Sequence, residues 1–67
     1  MTPLQKSLLT DLLPEGGVYD RYYRIVAMGT AHNQTTSLAC FCRGWLEVCE
    51  NRIYVSPQGR AAVEAEE

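Results

Sequence analysis

The chain has 67 residues, of which 46% are hydrophobic, and its six Lys and Arg and eight Asp and Glu give a formal net charge of −2. A chain of this length forms one small domain without room for a deep pocket, and it contains no Gly-rich phosphate loop and no usable Ser, His and Asp set, so we expect neither an enzyme nor a cofactor. No apolar run is long enough to span a bilayer and the start at Met1-Thr2-Pro3 lacks the features of a signal peptide, so we expect a cytoplasmic protein without membrane contact.

The first predicted element is a helix over residues 3–13. Thr2 is a suitable N-cap and Pro3 suits the first helical position. Leucines then recur at helical spacing, at Leu4, Leu8, Leu9, Leu12 and Leu13. The run Pro14-Glu15-Gly16-Gly17 ends this pattern. We interpret the leucines as core residues rather than as a coiled-coil seam, because one helix of so short a chain must supply much of the interior.

A second helix is predicted over residues 21–28. Asp20 is its N-cap and Gly29 its C-terminal stop. Its apolar side consists of Tyr22, Ile25 and Val26. Asp20 and Arg24 are four residues apart, which predicts a local surface ion pair of little energetic consequence.

A third helix is predicted from Thr30 or Ala31 to Arg43. Helical spacing places one set of residues inward, namely Ala31, Gln34, Thr35, Leu38, Phe41 and Cys42, with Trp45 closing the core. The outward set is then His32, Asn33, Thr36, Ser37, Cys40 and Arg43. Such a polar face is compatible with readout of the DNA major groove and equally with any solvated helix.

The segment from Leu46 to Val55 predicts a β-hairpin with Glu50 and Asn51 in the loop. The predicted pairs are Leu46 with Val55, Glu47 with Tyr54, Val48 with Ile53 and Cys49 with Arg52. Alternation places Leu46, Val48, Ile53 and Val55 on an apolar face, and Glu47, Arg52 and Tyr54 on a polar one. Ser56 as N-cap and Pro57 at the first position then predict a short final helix.

Two runs within this region resemble the winged helix-turn-helix superfamily of small prokaryotic and phage-like regulators. They are Arg43-Gly44-Trp45-Leu46, where a recognition helix ends and the wing begins, and Tyr54-Val55-Ser56-Pro57-Gln58-Gly59-Arg60, which leaves the wing. The resemblance implies an α+β winged helix-turn-helix domain over residues 1–63, with three helices, a C-terminal hairpin wing and a short final helix. It also implies a brief strand at residues 16–19 that pairs with the wing, and it leaves an acidic tail at residues 64–67.

The same resemblance implies a transcriptional regulator that binds double-stranded DNA, as a homodimer, with its third helix in the major groove. The residues expected to contact bases are Asn33, Gln34, Thr36 and Ser37. The residues expected to hold phosphates are Arg21, Arg24, Arg43 and Arg52.

Charge favours a different class, a protein-interaction or dimerisation module. Residues 1–63 carry six basic and five acidic groups, a net charge of only +1, whereas DNA-binding domains usually present a basic patch. Glu47 and Glu50 on the wing would also oppose its insertion between phosphates. A protein partner would then be bound through Tyr23, Tyr54 or Trp45, or through the acidic tail. Arginines that share one face with the third helix would favour DNA, and scattered arginines a protein partner.

The three cysteines, Cys40, Cys42 and Cys49, are predicted to be free thiols, with Cys40 exposed. Together with His32 they could be counted as a Cys3His zinc set, but their spacing does not match the usual zinc patterns. Cys40 and Cys42 would also point to different sides of one helix. We therefore expect no metal site and predict that His32 is a surface histidine.

Overall fold

A computed structural model describes residues 1–66 and shows an α+β domain with three helices and two antiparallel sheets. In chain order the elements are α1 (Pro3–Glu15), β1 (Val18–Tyr19), β2 (Ile25–Ala27), β3 (Thr30–His32), α2 (Gln34–Cys42), β4 (Leu46–Cys49), β5 (Arg52–Val55) and α3 (Pro57–Ala65). The predicted α+β class is confirmed. Across residues 1–66, none of the helices combines the length and the apolar character needed to cross a bilayer. Glu67, the end of the predicted tail, lies outside the described residues.

Helix α1 begins as predicted and forms the centre of the domain. The side chain of Thr2 accepts a hydrogen bond from the backbone of Gln5, whose own side chain accepts one from the Thr2 backbone. The core leucines are Leu8, Leu9 and Leu12, each at most 1% exposed. The prediction that Leu4 faces inward is wrong, because Leu4 is 59% exposed. The helix runs two residues beyond the predicted end, to Glu15, where Gly16 closes it.

The prediction of a second helix over residues 21–28 is wrong, because this segment belongs to a three-stranded sheet in the order β1-β2-β3. Ile25 and Ala27 are buried on one face of β2 while Val26 between them is only half-buried, which is the period of a strand. Met28 and Gly29 have φ of 53° and 76° and form the two-residue turn between β2 and β3. Gly29 is therefore a turn residue and not a helix stop.

Helix α2 begins later than predicted, at Gln34, and the predicted orientation of its faces is wrong. Its buried residues are Thr36, Ser37 and Cys40, which were predicted to face outward, whereas Leu38 is 62% exposed. Small side chains on the buried face allow α2 to pack closely against α1. Burial raises the pKa of the Cys40 thiol, and the positive charge of Arg43 offsets part of this effect.

The C-terminal hairpin forms with the predicted register in all four pairs of β4 and β5. Glu50 and Asn51 form its turn with φ of 52° and 67°, values suited to a two-residue hairpin loop. One residue departs from the predicted faces, because Val48 is 55% exposed. The backbone of Gly17 exchanges hydrogen bonds of 2.8 and 2.9 Å with that of Ile53, which joins the segment before β1 to the hairpin.

Helix α3 begins as predicted, with Ser56 as N-cap and Pro57 in the first turn. It continues through Glu64 to Ala65, so the first residues of the predicted acidic tail are helical. The carboxylate of Glu66 lies 2.7 Å from the Met1 amino group. The hydrogen bond and charge of that ammonium group lower the pKa of Glu66.

One hydrophobic core joins α1, β2, α2, β4, β5 and α3. Its buried hydrophobic members are Leu8, Leu9, Leu12, Ile25, Ala27, Cys40, Leu46, Ile53, Val55 and Val63. The prediction that His32 lies on the surface is wrong, because it is 7% exposed and its Nε2 lies 3.0 Å from Oδ2 of Asp11. This contact joins β3 to α1.

Candidate partner-binding groove

A groove with a volume of about 340 Å³ lies between α2 and the segment formed by β1 and the loop after it. We call it the α2 groove. It is lined by Tyr19, Tyr23, Gln34, Ser37, Leu38 and Phe41, and its lining is mostly apolar. Tyr23 and Leu38 are 74% and 62% exposed. Soluble monomers seldom leave a continuous patch of large apolar side chains exposed unless that patch binds something.

The first wall of the α2 groove is one face of α2. Gln34, Leu38 and Phe41 are four and three residues apart, so they lie along a single side of the helix. Asn33 caps the start of this helix, because its Oδ1 accepts a 2.7 Å hydrogen bond from the Thr36 backbone. The buried residues of α2 are the small side chains of Thr36, Ser37 and Cys40, whereas the larger apolar side chain of Leu38 is exposed.

The second wall is the loop of residues 20–24, which the Asp20 carboxylate holds in place. Oδ1 of Asp20 accepts hydrogen bonds of 2.9 Å from the backbone N–H groups of Tyr22 and Arg24, and Oδ2 accepts one of 2.8 Å from Nε of Arg24. Burial of the carboxyl acts to raise its pKa, but the hydrogen bonds from Arg24 and Tyr22 outweigh it, so the pKa of Asp20 lies below its ordinary value. The predicted Asp20 and Arg24 pair is present, in a strand connection rather than on a helix.

Tyr23 has a backbone conformation that a tyrosine rarely adopts, with φ of 61°. The left-handed region costs a residue with a Cβ roughly 1–2 kcal/mol. The surrounding hydrogen bonds hold this conformation, and Nε2 of Gln34 adds another by donating to the Tyr22 carbonyl at 2.8 Å. The positive φ belongs to the tight connection between β1 and β2, and the fixed loop leaves the Tyr23 side chain 74% exposed.

The four predicted phosphate-binding arginines lie in different places. Arg21 and Arg24 lie over the ring of Tyr22, with their guanidinium carbons 5.7 and 5.2 Å from its centroid. Arg43 follows the last turn of α2 and lies over Trp45. Arg52 is on β5, where its Nη2 donates to the Glu15 carbonyl. Two of the four guanidinium groups therefore donate hydrogen bonds within the domain, Arg24 to the Asp20 carboxylate and Arg52 to the Glu15 carbonyl.

Two of the four residues predicted to contact bases are buried and two are exposed. Thr36 and Ser37 are 7% and 4% exposed, so their predicted outward orientation is wrong. Asn33 and Gln34 are exposed, but the first caps α2 and the second bonds to the Tyr22 carbonyl. Contact of these four residues with DNA stays a prediction.

Of the residues predicted for a protein partner, Tyr23 lies in the α2 groove. Tyr54 is half-buried and covers the end of α1, where a Cβ on Gly16 would lie 2.8 Å from its ring. Trp45 is half-buried and packs against the core beside Arg43. The structure therefore does not bring these three aromatic residues into one patch.

The sequence-based prediction omitted Tyr19, Leu38 and Phe41 from the candidate sites. Leu38 and Phe41 were recognised as sharing a helical face with Gln34, but that face was assigned to the interior. The pattern of residues along α2 does not distinguish a covered helical face from an uncovered one. For Tyr19, no feature of the sequence other than its aromatic side chain indicates a binding site.

Within residues 1–66 no three His, Cys, Asp or Glu side chains lie close enough together to hold a metal ion. Cys42 and Cys49 are exposed free thiols. Comparison with known proteins gives no match, since no family model, no curated protein and no solved structure is similar to this chain.

Proposed function

We propose that this domain is a protein-interaction module that binds apolar side chains of a partner protein in the α2 groove. The observation that carries the proposal is the exposure of Leu38 and Tyr23 on the two walls of the groove. Interfaces are enriched in tyrosine and arginine, and a few such residues supply most of the binding energy. The α2 groove offers two tyrosines, and Arg21 and Arg24 lie over the ring of Tyr22 in the adjoining loop.

The rigidity of both walls favours tight binding. The loop of residues 20–24 is held by Asp20 and joined to α2 by Gln34, so the groove exists before a partner arrives. A preformed site loses little conformational entropy on binding, and more of the contact energy appears as affinity.

Binding of double-stranded DNA is the second candidate function. The hairpin of β4 and β5 with α3 after it favours this candidate, because a C-terminal hairpin followed by a short helix is what the winged-helix resemblance implies. The strands between α1 and α2, and the burial of Thr36 and Ser37, give it less support than the protein partner has. A titration with a random-sequence duplex at low salt, followed by NMR, tests it directly.

The proposed function predicts that Leu38→Asp weakens partner binding by about tenfold or more, because it places a carboxylate among apolar contacts. The probe is a library of random dodecapeptides displayed on phage and selected against the wild-type protein. The selected peptides are then titrated into isotope-labelled protein, and we expect amide shifts concentrated at the residues that line the α2 groove. Val48→Asp is the matched control, since Val48 is 55% exposed and lies on β4, outside the groove.

Other occupants would give different results. Amide shifts along α2 caused by the duplex, without any peptide that shifts the groove, would contradict the proposal in favour of DNA. Concentration-dependent association in the ultracentrifuge that Leu38→Asp abolishes would assign the groove to a second copy of this chain, the predicted homodimer. Equal loss of peptide binding in Leu38→Asp and Val48→Asp would show that the groove is not the site.

Tyr23→Gly is expected to separate binding from folding. Glycine relieves the left-handed strain but adds flexibility to the unfolded chain, so the free energy of unfolding should change by no more than about 1 kcal/mol. Peptide affinity should nevertheless fall by about tenfold, because an exposed aromatic anchor is lost. Both quantities are measured on one sample, by urea denaturation and by calorimetric titration.

Met28→Gly is the matched control for this prediction. Met28 also has a positive φ, of 53°, and is 63% exposed, but it does not line the α2 groove. Its replacement should leave peptide affinity unchanged. A large loss of stability in Tyr23→Gly would show that Tyr23 has a structural role, and unchanged affinity would remove it from the site.

A further inference from the structure

Charge is divided unequally between two parts of this acidic protein. Residues 18–43, which contain every residue that lines the α2 groove, carry Arg21, Arg24 and Arg43 against Asp20 alone, a net charge of +2. The rest of the chain carries three basic and seven acidic groups, a net charge of −4. The α2 groove therefore lies in the basic part of a protein whose total charge is negative.

Arg21 is the arginine beside the groove with a free charge. Arg24 is paired with Asp20 at 2.8 Å, whereas the ion pairs and side-chain hydrogen bonds found among residues 1–66 do not include Arg21. Arg21 is two residues from both Tyr19 and Tyr23, so its backbone lies within about 7 Å of theirs. Its guanidinium is exposed beside the Tyr22 ring.

The wall of the groove that α2 forms adds no negative charge. Residues 34–42 of α2 contain no ionisable acid or base except two cysteines. Arg43 follows α2, but its guanidinium lies over Trp45, which does not line the groove. A carboxylate that approaches the loop beside Arg21 meets an unpaired positive charge and no acidic residue on α2, which speeds association and selects among partners.

We infer that the partner segment is acidic, with Asp or Glu residues beside the apolar side chains that enter the α2 groove, and that Arg21 binds one of those carboxylates. This inference rests on the proposed function and adds the chemistry of the partner. The apolar walls at Leu38 and Phe41 favour a peptide over single-stranded nucleic acid, which requires a continuous cationic track along its backbone.

The dodecapeptide selection described above tests the inference through the composition of the peptides it yields. Peptides that bind the α2 groove should carry a net negative charge in addition to leucine or aromatic residues. Replacing their Asp and Glu by Asn and Gln should weaken binding by about tenfold, and Arg21→Glu in the protein should weaken binding of the acidic peptides by a similar factor. Arg60→Glu, an equal charge change at an exposed position of α3, should change affinity less than about twofold.

The outcomes distinguish the inference from the proposed function. Peptides that shift the groove residues but show no acidic bias, and bind Arg21→Glu as tightly as wild type, would overturn the acidic partner and leave the interaction module standing. Absence of any groove-binding peptide would overturn both. An oligothymidylate that shifts the same residues and displaces the selected peptides would assign the groove to single-stranded nucleic acid and overturn the inference.

Discussion

Gly59→Ala is expected to lower the free energy of unfolding by about 3 kcal/mol or more, through overpacking and loss of the α3 cap. Gly59 lies in the first turn of α3, and a Cβ there would overlap the carbonyl oxygen of Trp45 and lie 2.9 Å from Cγ1 of Val55. That carbonyl cannot move away, because it accepts a hydrogen bond of 2.9 Å from the Ser56 backbone. The helix would have to shift instead.

A shift of α3 would break several contacts at once. Oγ of Ser56 accepts a hydrogen bond from Gly59 and donates one to the Gly44 carbonyl, so the cap and the link to the end of α2 would be lost together. Val63, which is 3% exposed, would also leave the core. A domain of this size has only about 3–10 kcal/mol of stability, so a loss of about 3 kcal/mol removes at least about a third of it and lowers the midpoint of unfolding markedly.

Urea denaturation followed by circular dichroism measures this effect. Arg60→Ala is the control, because Arg60 is the exposed neighbour in the same helix turn and should change stability by less than about 0.5 kcal/mol. If Gly59→Ala is as stable as Arg60→Ala, the close approach of α3 to Trp45 is incorrect.

The C-terminal hairpin and α3 could be predicted from sequence because their signals are local. Glu50 and Asn51 separate two alternating runs of equal length, and Ser56-Pro57 is a strong helix start wherever it occurs. The register then followed from the alternation alone. Val48 is the exception. The alternation of side chains predicts which residues share a strand face, but not whether the rest of the domain covers all of that face, and Val48 is exposed.

The three-stranded sheet of β1, β2 and β3 could not be predicted with the same rules, because the turn signals between its strands are weak. Met28-Gly29 is an unusual pair for a turn in which both residues need positive φ, and Asp20 suits a helix cap as well as a loop. Ile25 and Val26 then fitted the apolar side of a short helix as readily as a strand. Pairing of β2 with the neighbouring strands β1 and β3 decides between the two, and residues 21–28 alone do not show that pairing.

The candidate groove was missed for a related reason. The pattern of Gln34, Leu38 and Phe41 indicates an apolar helical face but does not say what covers it. In the folded chain α2 packs on α1 and buries Thr36 and Cys40, which are small enough for close packing, with the buried Ser37 at the edge of the groove. Sequence therefore predicted that the face exists, and only the tertiary structure shows that it is left uncovered.

Leu9→Ala is expected to lower the free energy of unfolding by about 3 kcal/mol, whereas Leu4→Ala should change it by less than about 0.5 kcal/mol. The two residues belong to the same helix and to the same predicted leucine stripe, but Leu9 is 0% exposed and Leu4 59%. Truncating Leu9 leaves a cavity where α1 meets the rest of the core, and so small a domain has few other apolar contacts to compensate. Equal midpoints of urea denaturation for the two variants would contradict the orientation of α1. Since α2 takes its own orientation from packing on α1, the same result would also remove the structural basis of the α2 groove.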